Sequence, residues 1–352
     1  MKKLLPILIL TVLFITDSNA CVTFVLNNNK SLVFGWNYEF DAGSGYLITN
    51  NNGMLKTSFV PQKENSITWI SKYGSMTFNQ WGKEFPSGGI NEKGLVVVQT
   101  MYIKTIYPDP DIRPAISELQ WIQFQLDNFS TVQEVIENDK KLRITNNSIP
   151  LHYMICDKTG NVAVIEFING KMICHQGNEL LFPVLANDSY EDSLIELRKY
   201  KGFGGTLDIP TNSTGPKSGN FIIASDYVKK YNSIENIINY SFRTLSISSE
   251  PRRTQWTIVF DLKNMNIHFK SLDNNKIKKI SLGNFDFACN STVKTLDIST
   301  DNAENFVDYN YSIDEDYINK AYNNPAIPWI KEAVPEIVNN DKIKYIRTIK
   351  YK

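Results

Sequence analysis

The sequence predicts an α+β fold in which two antiparallel sheets pack together and are covered by helices. Short segments rich in β-branched and aromatic residues form two groups, and segments with helical periodicity lie between and after them. The resulting order is strands, helices, strands, helices, strands, which differs from the regular alternation of a doubly wound parallel sheet. A hydrophobic content of 42% supports a substantial core.

The strands are predicted from composition and turn signals. Residues 21–26 and 31–34 are joined by the turn cluster at 27–30, so they form a hairpin that holds residue 21 inside a sheet. The other strands of the first group are predicted at 66–71, 94–101, 152–156, 163–167 and 171–175. Asp157–Gly160 and Asn169-Gly170 make turns between the last three, which predicts an antiparallel meander. The second group lies at 256–261, 266–270 and 276–282, with Asn264 in a turn.

The helices are predicted from apolar spacing. Pro114 opens a segment in which Ile116, Leu119, Ile122 and Leu126 recur at helical intervals. Residues 130–133 (Ser-Thr-Val-Gln) have the pattern of a capping box. A third apolar stripe consists of Phe221, Ala224, Val228 and Tyr231. Residues 201–219 are rich in Gly, Pro, Ser and Thr and predict a long loop, which at this length is more often functional than idle.

The two ends of the chain are expected to lie outside the main domain. Lys2 and Lys3, an apolar run at 4–15, and small residues at Ser18 and Ala20 are typical of a secretory signal peptide. We therefore expect a signal peptide at 1–20, a domain at 21–287, and a periplasmic or extracellular location. Residues 288–352 are interpreted as an extension that packs on the domain or serves as an oligomer arm. An uncleaved anchor, or a lipoprotein acylated at residue 21, are the alternatives.

Composition argues against several classes of function. Lys plus Arg and Asp plus Glu both number 37, and no basic stripe is present, so nucleic acid is not an expected partner. The four cysteines are too few for a disulfide framework, although one pair among Cys156, Cys174 and Cys289 remains open. There is no CxxC motif and the three histidines are scattered, so the sequence predicts no metal site and no cofactor.

A cysteine at a mature amino terminus can carry out acyl transfer without further nucleophilic groups. Its α-amine has an ordinary pKa of about 7.7–8.0 and takes the thiol proton near neutral pH. The thiolate attacks an amide carbonyl, hydrogen-bond donors stabilise the oxyanion, and the protonated amine supplies a proton to the leaving nitrogen. Removal of residues 1–20 would place Cys21 in this position.

Several segments carry a family resemblance, in order along the chain. They are 21–24 (Cys-Val-Thr-Phe), 34–40 (Phe-Gly-Trp-Asn-Tyr-Glu-Phe), 73–78 (Tyr-Gly-Ser-Met-Thr-Phe), 89–95 (Gly-Ile-Asn-Glu-Lys-Gly-Leu), 185–187 (Leu-Ala-Asn) and 254–256 (Thr-Gln-Trp). Over about residues 21–285 the chain resembles the choloylglycine hydrolase family of linear amide C–N hydrolases, which includes penicillin V acylases and bile salt hydrolases. The resemblance implies the four-layer αββα sandwich of N-terminal nucleophile hydrolases.

The resemblance also assigns site residues. Cys21 becomes the nucleophile and, through its α-amine, the base. Asn187 would donate its side-chain amide to the oxyanion, and Met101 would donate its backbone N–H. Glu39 takes the place of an aspartate that orients the α-amine, and Tyr102 would help to line the pocket. From the residues alone, Asn187 also fits a turn and Glu39 a solvated charge at a strand end.

Two positions depart from the family pattern. Trp36 stands where the family has an arginine beside the thiol, and Asn220 stands where it has a second arginine. Arginine stabilises a thiolate and tryptophan does not; Arg252 and Arg253 are candidates to reach the site from another strand. The double change fits a larger, more apolar acyl pocket that includes Trp36 and Asn220, or a homologue that binds and barely turns over.

The expected activity is hydrolysis of the amide bond of a small N-acyl compound. Candidates are N-acyl amino acids, phenoxyacetyl or other acyl β-lactam side chains, and acyl-homoserine lactones. The alternatives are a non-catalytic ligand-binding protein on the same scaffold and a dipeptidase-like relative. The resemblance further implies a homo-oligomer, a tetramer in many relatives.

Overall fold

The computed structural model describes residues 21–28, 30–146, 148–213, 218–333 and 336–351. The expected signal peptide, residues 1–20, lies outside the described residues. Within the described ranges, no helix is both long and apolar enough to cross a membrane.

Each of the ten predicted strand segments overlaps a strand, and ten further strands in the described residues were not predicted. The strands are β1 (Val22–Asn27), β2 (Leu32–Glu39), β3 (Tyr46–Asn50), β4 (Met54–Thr57), β5 (Thr68–Ile70), β6 (Ser75–Asn79), β7 (Pro86–Asn91), β8 (Val96–Met101), β9 (Ala115–Ile116), β10 (Arg143–Ile144), β11 (Leu151–Cys156), β12 (Val162–Ile168), β13 (Lys171–Gln176), β14 (Val184–Leu185), β15 (Thr254–Asp261), β16 (Asn266–Ser271), β17 (Lys278–Ser281), β18 (Lys294–Asp297), β19 (Val307–Asp308) and β20 (Lys350–Tyr351).

Two large antiparallel sheets form the centre of the molecule. The six-stranded sheet has the order β14-β1-β2-β15-β16-β17, and the nine-stranded sheet has the order β13-β12-β11-β8-β7-β6-β3-β18-β19. The predicted hairpin is β1–β2, and the predicted meander is β11–β12–β13. All eight residues of β2 and of β15 are buried, as expected for strands that are covered on both faces.

Helices cover the outer faces of both sheets. They are α1 (Glu118–Asn128), α2 (Val132–Glu137), α3 (Tyr190–Leu197), α4 (Gly219–Lys230), α5 (Ile237–Ile247), α6 (Tyr311–Tyr322), α7 (Ile330–Ala333) and α8 (Glu336–Ile346). The helices α4 and α5 pack on β1, β2 and β15, and α1 packs on β7 and β8. The architecture is therefore the α+β, four-layer αββα sandwich that the sequence predicts.

Aromatic side chains fill the layer between the two sheets. The Phe78 ring on β6 meets Trp36 and Phe260 edge to face, with centroid distances of 6.2 and 6.1 Å. On the outer face of the nine-stranded sheet, Trp121 of α1 packs on Tyr153 at 4.4 Å. These contacts fix the spacing of the layers and so hold the ends of β1, β2 and β8 at one edge of the sandwich.

Two predicted helix starts were wrong in position. The segment after Pro114 first forms β9, which pairs in parallel with β10, and α1 begins only at Glu118. The capping box before α2 is formed by Thr131 and Glu134 rather than by residues 130 and 133. In both cases the true start depends on a hydrogen-bonding partner that apolar spacing does not reveal.

Residues after 287 pack on the sandwich. Strand β18 pairs with β3 and extends the nine-stranded sheet, while β20 pairs with β4. In α6, Ile318 is 1% exposed and joins the apolar cluster beneath α1. The extension is therefore part of the core of this subunit.

Candidate active site

Cys21 stands immediately before β1, and its surroundings hold it firmly. β1 pairs with β14 on one side and β2 on the other, so the backbone after Cys21 lies in the middle of a sheet. The residue is 4% exposed, and its thiol donates to the Glu39 carbonyl oxygen at 3.5 Å. The Asn220 side-chain amide donates to the carbonyl oxygen of Cys21 at 3.3 Å.

A small cavity of about 50 Å³ lies against the Cys21 side chain. This volume is far below the roughly 300–1,000 Å³ of typical ligand pockets. Of the residues expected from the sequence, Cys21, Glu39 and Met101 line it. Its other walls are mainly aromatic and aliphatic, with a few polar side chains between them.

The environment of the Cys21 thiol disfavours its ionised form. Burial is the largest cause, and together with the nearby Glu39 charge it raises the pKa of the thiol to about 12. Hydrogen bonds to the backbones of Glu39 and Met101 and the positive charge of Arg253 act in the opposite direction. An additional positive charge at the sulfur would therefore have a large effect on its reactivity.

Glu39 closes one side of the site at the end of β2. Its Oε1 accepts from the Thr254 hydroxyl at 2.7 Å and from the Glu250 backbone N–H at 3.1 Å. Its Oε2 is buried and has no hydrogen-bond partner among the described residues. Burial raises the pKa of this carboxyl well above its usual range. A β-bulge at Gln255 interrupts the pairing of β15 with β2 between Thr254, opposite Glu39, and Trp256, opposite Tyr38.

Asn187 and Met101, the two residues expected to bind the oxyanion, are in direct contact. The Asn187 amide donates to the Met101 carbonyl oxygen at 2.8 Å. The preceding Ala186 carbonyl accepts from the Thr100 hydroxyl at 2.9 Å and contacts Nε2 of His152 at 2.7 Å. Met101 lines the cavity at the end of β8, whereas Asn187 stands behind it.

Three residues expected to line the substrate pocket lie elsewhere. Trp36 is fully buried between the sheets, against Tyr38 and Phe78, so it serves as core packing. Tyr102 stacks on His152, with ring centroids 5.2 Å apart, behind the cavity wall. Asn220, in the first turn of α4, contacts the backbone of Cys21 and positions it. The pocket predictions for these three residues were wrong because the position of a residue in the sequence does not show which layer of the fold its side chain enters.

Arg253 is the cation that the structure brings to this site. It ends the turn before β15, and its carbonyl oxygen accepts from the Phe40 N–H at 2.9 Å. Its guanidinium pairs with Asp41 at 3.2 Å. Its positive charge lowers the pKa of both Cys21 and Glu39. The sequence offered this residue only as a candidate, because its approach depends on the pairing of β15 with β2.

Other residues of the cavity were not expected from the sequence. Ser87 on β7 and Gln99 on β8 are buried there; the Ser87 hydroxyl interacts with the Tyr38 hydroxyl, whereas Gln99 Oε1 has no hydrogen-bond partner in the part of the chain that the structure describes. Buried polar atoms normally have partners, so Gln99 Oε1 is available to accept a hydrogen bond from a ligand. In the sequence, only the alternation of side chains along β8, which places Gln99 and Met101 on the same face, could have identified Gln99 as a cavity residue.

Comparison with known proteins agrees with this geometry. A family model described as linear amide C–N hydrolases, choloylglycine hydrolase family, matches residues 21–214. A penicillin V acylase from Pectobacterium atrosepticum is 30% identical over 184 residues, which cover 47% of this chain and 48% of that protein. The match thus spans about half the length of this curated relative.

Solved structures share the fold over most of the chain. A penicillin V acylase from Agrobacterium tumefaciens superimposes with a TM-score of 0.71 and 25% identity, covering 82% of this chain and 98% of that one. A variant of conjugated bile acid hydrolase from Clostridium perfringens has a TM-score of 0.64 and 22% identity, with 79% and 97% covered. The second comparison concerns the fold alone.

Proposed function

Because this chain belongs to the choloylglycine hydrolase family of linear amide C–N hydrolases, we propose that it hydrolyses the amide of a small N-acyl compound with Cys21 as nucleophile. The observation that carries this proposal is the position of the Cys21 sulfur. It is buried at the start of β1, borders a cavity, and lies beside Glu39 and the Met101 backbone.

The proposed reaction begins with export and removal of residues 1–20, which frees the α-amine of Cys21. The pattern of residues 1–20 supports export to the periplasm or cell exterior. Glu39 Oε2, buried and without a partner among the residues described, is suited to hold that amine. The amine then takes the thiol proton, and the resulting ammonium offsets the burial that otherwise disfavours the thiolate.

The thiolate forms a carbon–sulfur bond to the substrate carbonyl, and the negative charge moves onto the carbonyl oxygen. Met101 N–H and the Asn187 side-chain amide, which in this structure donates to the Met101 carbonyl oxygen behind the cavity, are the proposed donors to that oxygen. The ammonium gives its proton to the leaving nitrogen as the carbon–nitrogen bond breaks. Water then attacks the thioester with the amine as base, the carbon–sulfur bond breaks, and the carboxylic acid leaves as the Cys21 thiol takes back its proton.

Arg253 is proposed to replace the family arginines. Trp36 and Asn220 occupy the two positions where the sequence lacks them. The Arg253 charge is paired with Asp41 and influences the Cys21 thiol less than burial does, so the replacement is partial. The similarity to penicillin V acylases supports an N-acyl substrate such as an acylated amino acid, β-lactam or homoserine lactone.

The experiment that tests this function traps the thioester at Cys21. The exported protein is incubated with a panel of N-acyl substrates, quenched in acid, and the peptide that begins at Cys21 is analysed by mass spectrometry. We expect an acyl adduct on Cys21, and loss of both the adduct and turnover in the Cys21→Ser variant. Cys289→Ser removes an exposed thiol and is the matched control that retains activity.

Other results would redirect the proposal. Binding without an adduct or turnover would favour a ligand-binding protein, and release of amino acids from dipeptides would favour a peptidase. Undiminished turnover in the Cys21→Ser variant would disprove the mechanism.

A further inference from the structure

Part of the wall around the Cys21 cavity comes from the far end of the chain. Trp329, just before α7, and Ile330, its first residue, line it, more than a hundred residues beyond the family match at 21–214. We call residues 327–330 the C-terminal wall. The residues that bear the proposed chemistry and the residues that limit the space beside it thus come from different parts of the sequence.

The C-terminal wall is built on apolar and aromatic contacts. Ile327 and Ile330 are 0% and 1% exposed and cluster with Ala42 and Tyr322. The Trp329 ring meets Phe40 edge to face at 6.1 Å. Phe40 in turn meets Trp81 in the same manner at 6.2 Å, and all three rings border the cavity. These three rings therefore form an aromatic part of the wall beside the sulfur.

Among the described residues, the segment 323–331, which contains this wall, contacts the rest of the domain through side-chain packing and not through backbone hydrogen bonds to either sheet. The backbone hydrogen bonds of residues 323–331 are local, such as Ile327 N–H to Asn324 oxygen at 3.2 Å and Ile330 N–H to Ile327 oxygen at 3.0 Å. Its flanks are fixed more strongly, because α6 enters the core and β20 pairs with β4. The wall can therefore be reshaped by substitution without breaking a hydrogen bond to either sheet.

We propose that the C-terminal wall sets the size limit of the acyl pocket, with Trp329 as the residue that determines specificity. This inference rests on the proposed function and deepens it. The pocket takes a compact, apolar acyl group that packs against the three rings, and the Trp329 indole excludes longer chains.

The test compares hydrolysis of N-butanoyl and N-decanoyl amides of one amine. For the wild-type enzyme we expect kcat/KM to favour the butanoyl amide. Trp329→Ala should raise the decanoyl-to-butanoyl ratio at least tenfold. Ile327→Val is the matched control, because Ile327 belongs to the same apolar cluster without lining the cavity, and it should leave the ratio unchanged.

A second measurement does not depend on turnover. Alkylation of Cys21 by iodoacetamide and by the bulkier N-phenylmaleimide is followed on the Cys21 peptide by mass spectrometry. Trp329→Ala should increase the rate with the bulky reagent at least fivefold relative to the small one, and Ile327→Val should not. Trp329→Phe gives an intermediate change and serves if the alanine variant does not fold.

The outcomes separate the two proposals. A folded Trp329→Ala variant with wild-type acyl preference and wild-type alkylation ratios would overturn the role of the wall. If the wild-type enzyme hydrolyses no amide while the alkylation ratio still changes in Trp329→Ala, the wall limits access to Cys21 and the proposed function is the part that fails.

Discussion

The amino terminus at Cys21 is predicted to control thiol reactivity, and the size of the effect follows from the structure. Burial holds the pKa of this thiol at about 12 in the intact chain, so about one sulfur in 10⁵ is ionised at pH 7. A free ammonium at Cys21, held by Glu39, would oppose that shift. A return to the ordinary value of about 8.5 would raise the thiolate fraction roughly 3,000-fold.

The gain in rate is smaller than the gain in thiolate, because a thiolate of lower pKa is a weaker nucleophile. With a Brønsted slope of about 0.4–0.5, the net acceleration at pH 7 is about 100-fold. The assay uses two chains, one that begins at Cys21 and one that retains Ala20. The rate of iodoacetamide modification of Cys21 is measured for both from pH 6 to pH 10.

The chain that begins at Cys21 should react about 100-fold faster at pH 7, and the difference should shrink as the pH rises. Modification of Cys289, which is exposed, gives an internal control that should be equal in both chains. Equal rates at Cys21 would refute the reasoning, since they would mean that the α-amine does not share the cavity with the sulfur.

Three further predictions concern single side chains. Asn187→Ala should lower the rate of the chemical step about 10²–10³-fold with little change in substrate binding, as measured by single-turnover kinetics, and an unchanged step would place the oxyanion elsewhere. Arg253→Met should shift the pH profile of Cys21 alkylation to higher pH, because the guanidinium lowers the thiol pKa, whereas Arg253→Lys should preserve the profile. In the chain that retains Ala20, the pKa of Glu39 is higher in the folded protein than in the unfolded protein. The folded protein therefore binds more protons at this site, and its stability falls as the pH rises from about 4.5 toward the folded pKa. In that chain Glu39→Gln should therefore reduce the loss of Tm between pH 5 and pH 8, and an identical loss in both proteins would contradict the assigned burial effect.

The parts of the fold that sequence reasoning predicted well are those encoded locally. The β1–β2 hairpin and the β11–β12–β13 meander have strand composition and turn residues within a few positions of each other. The start of α1 was misplaced because Ala115 and Ile116 have apolar spacing compatible with a helix, and only their pairing with β10 makes them a strand. The helices α3, α5, α6, α7 and α8 were not predicted, although α5 is as long as α1.

In the candidate site, too, some residues could be predicted from nearby motifs and others could not. The place of Cys21, the Asn187–Met101 contact and the Glu39 position followed from motifs near those residues. Trp36 was misassigned because a residue next to a site in sequence can point into the layer between the sheets. Arg253 and Trp329 reach the site through contacts between segments that are far apart in sequence. Local sequence patterns do not predict such contacts.

The distance along the chain between Cys21 and the C-terminal wall has a consequence for biosynthesis. Domains form as the chain emerges from its amino terminus, and contacts of large sequence separation form late. Cys21 is made early in synthesis, whereas Trp329 is made roughly 300 residues later. A truncated product that ends before α6 would retain Cys21, Glu39 and Met101 yet lack the C-terminal wall. The cavity beside the proposed nucleophile is therefore complete only after Trp329 has been made.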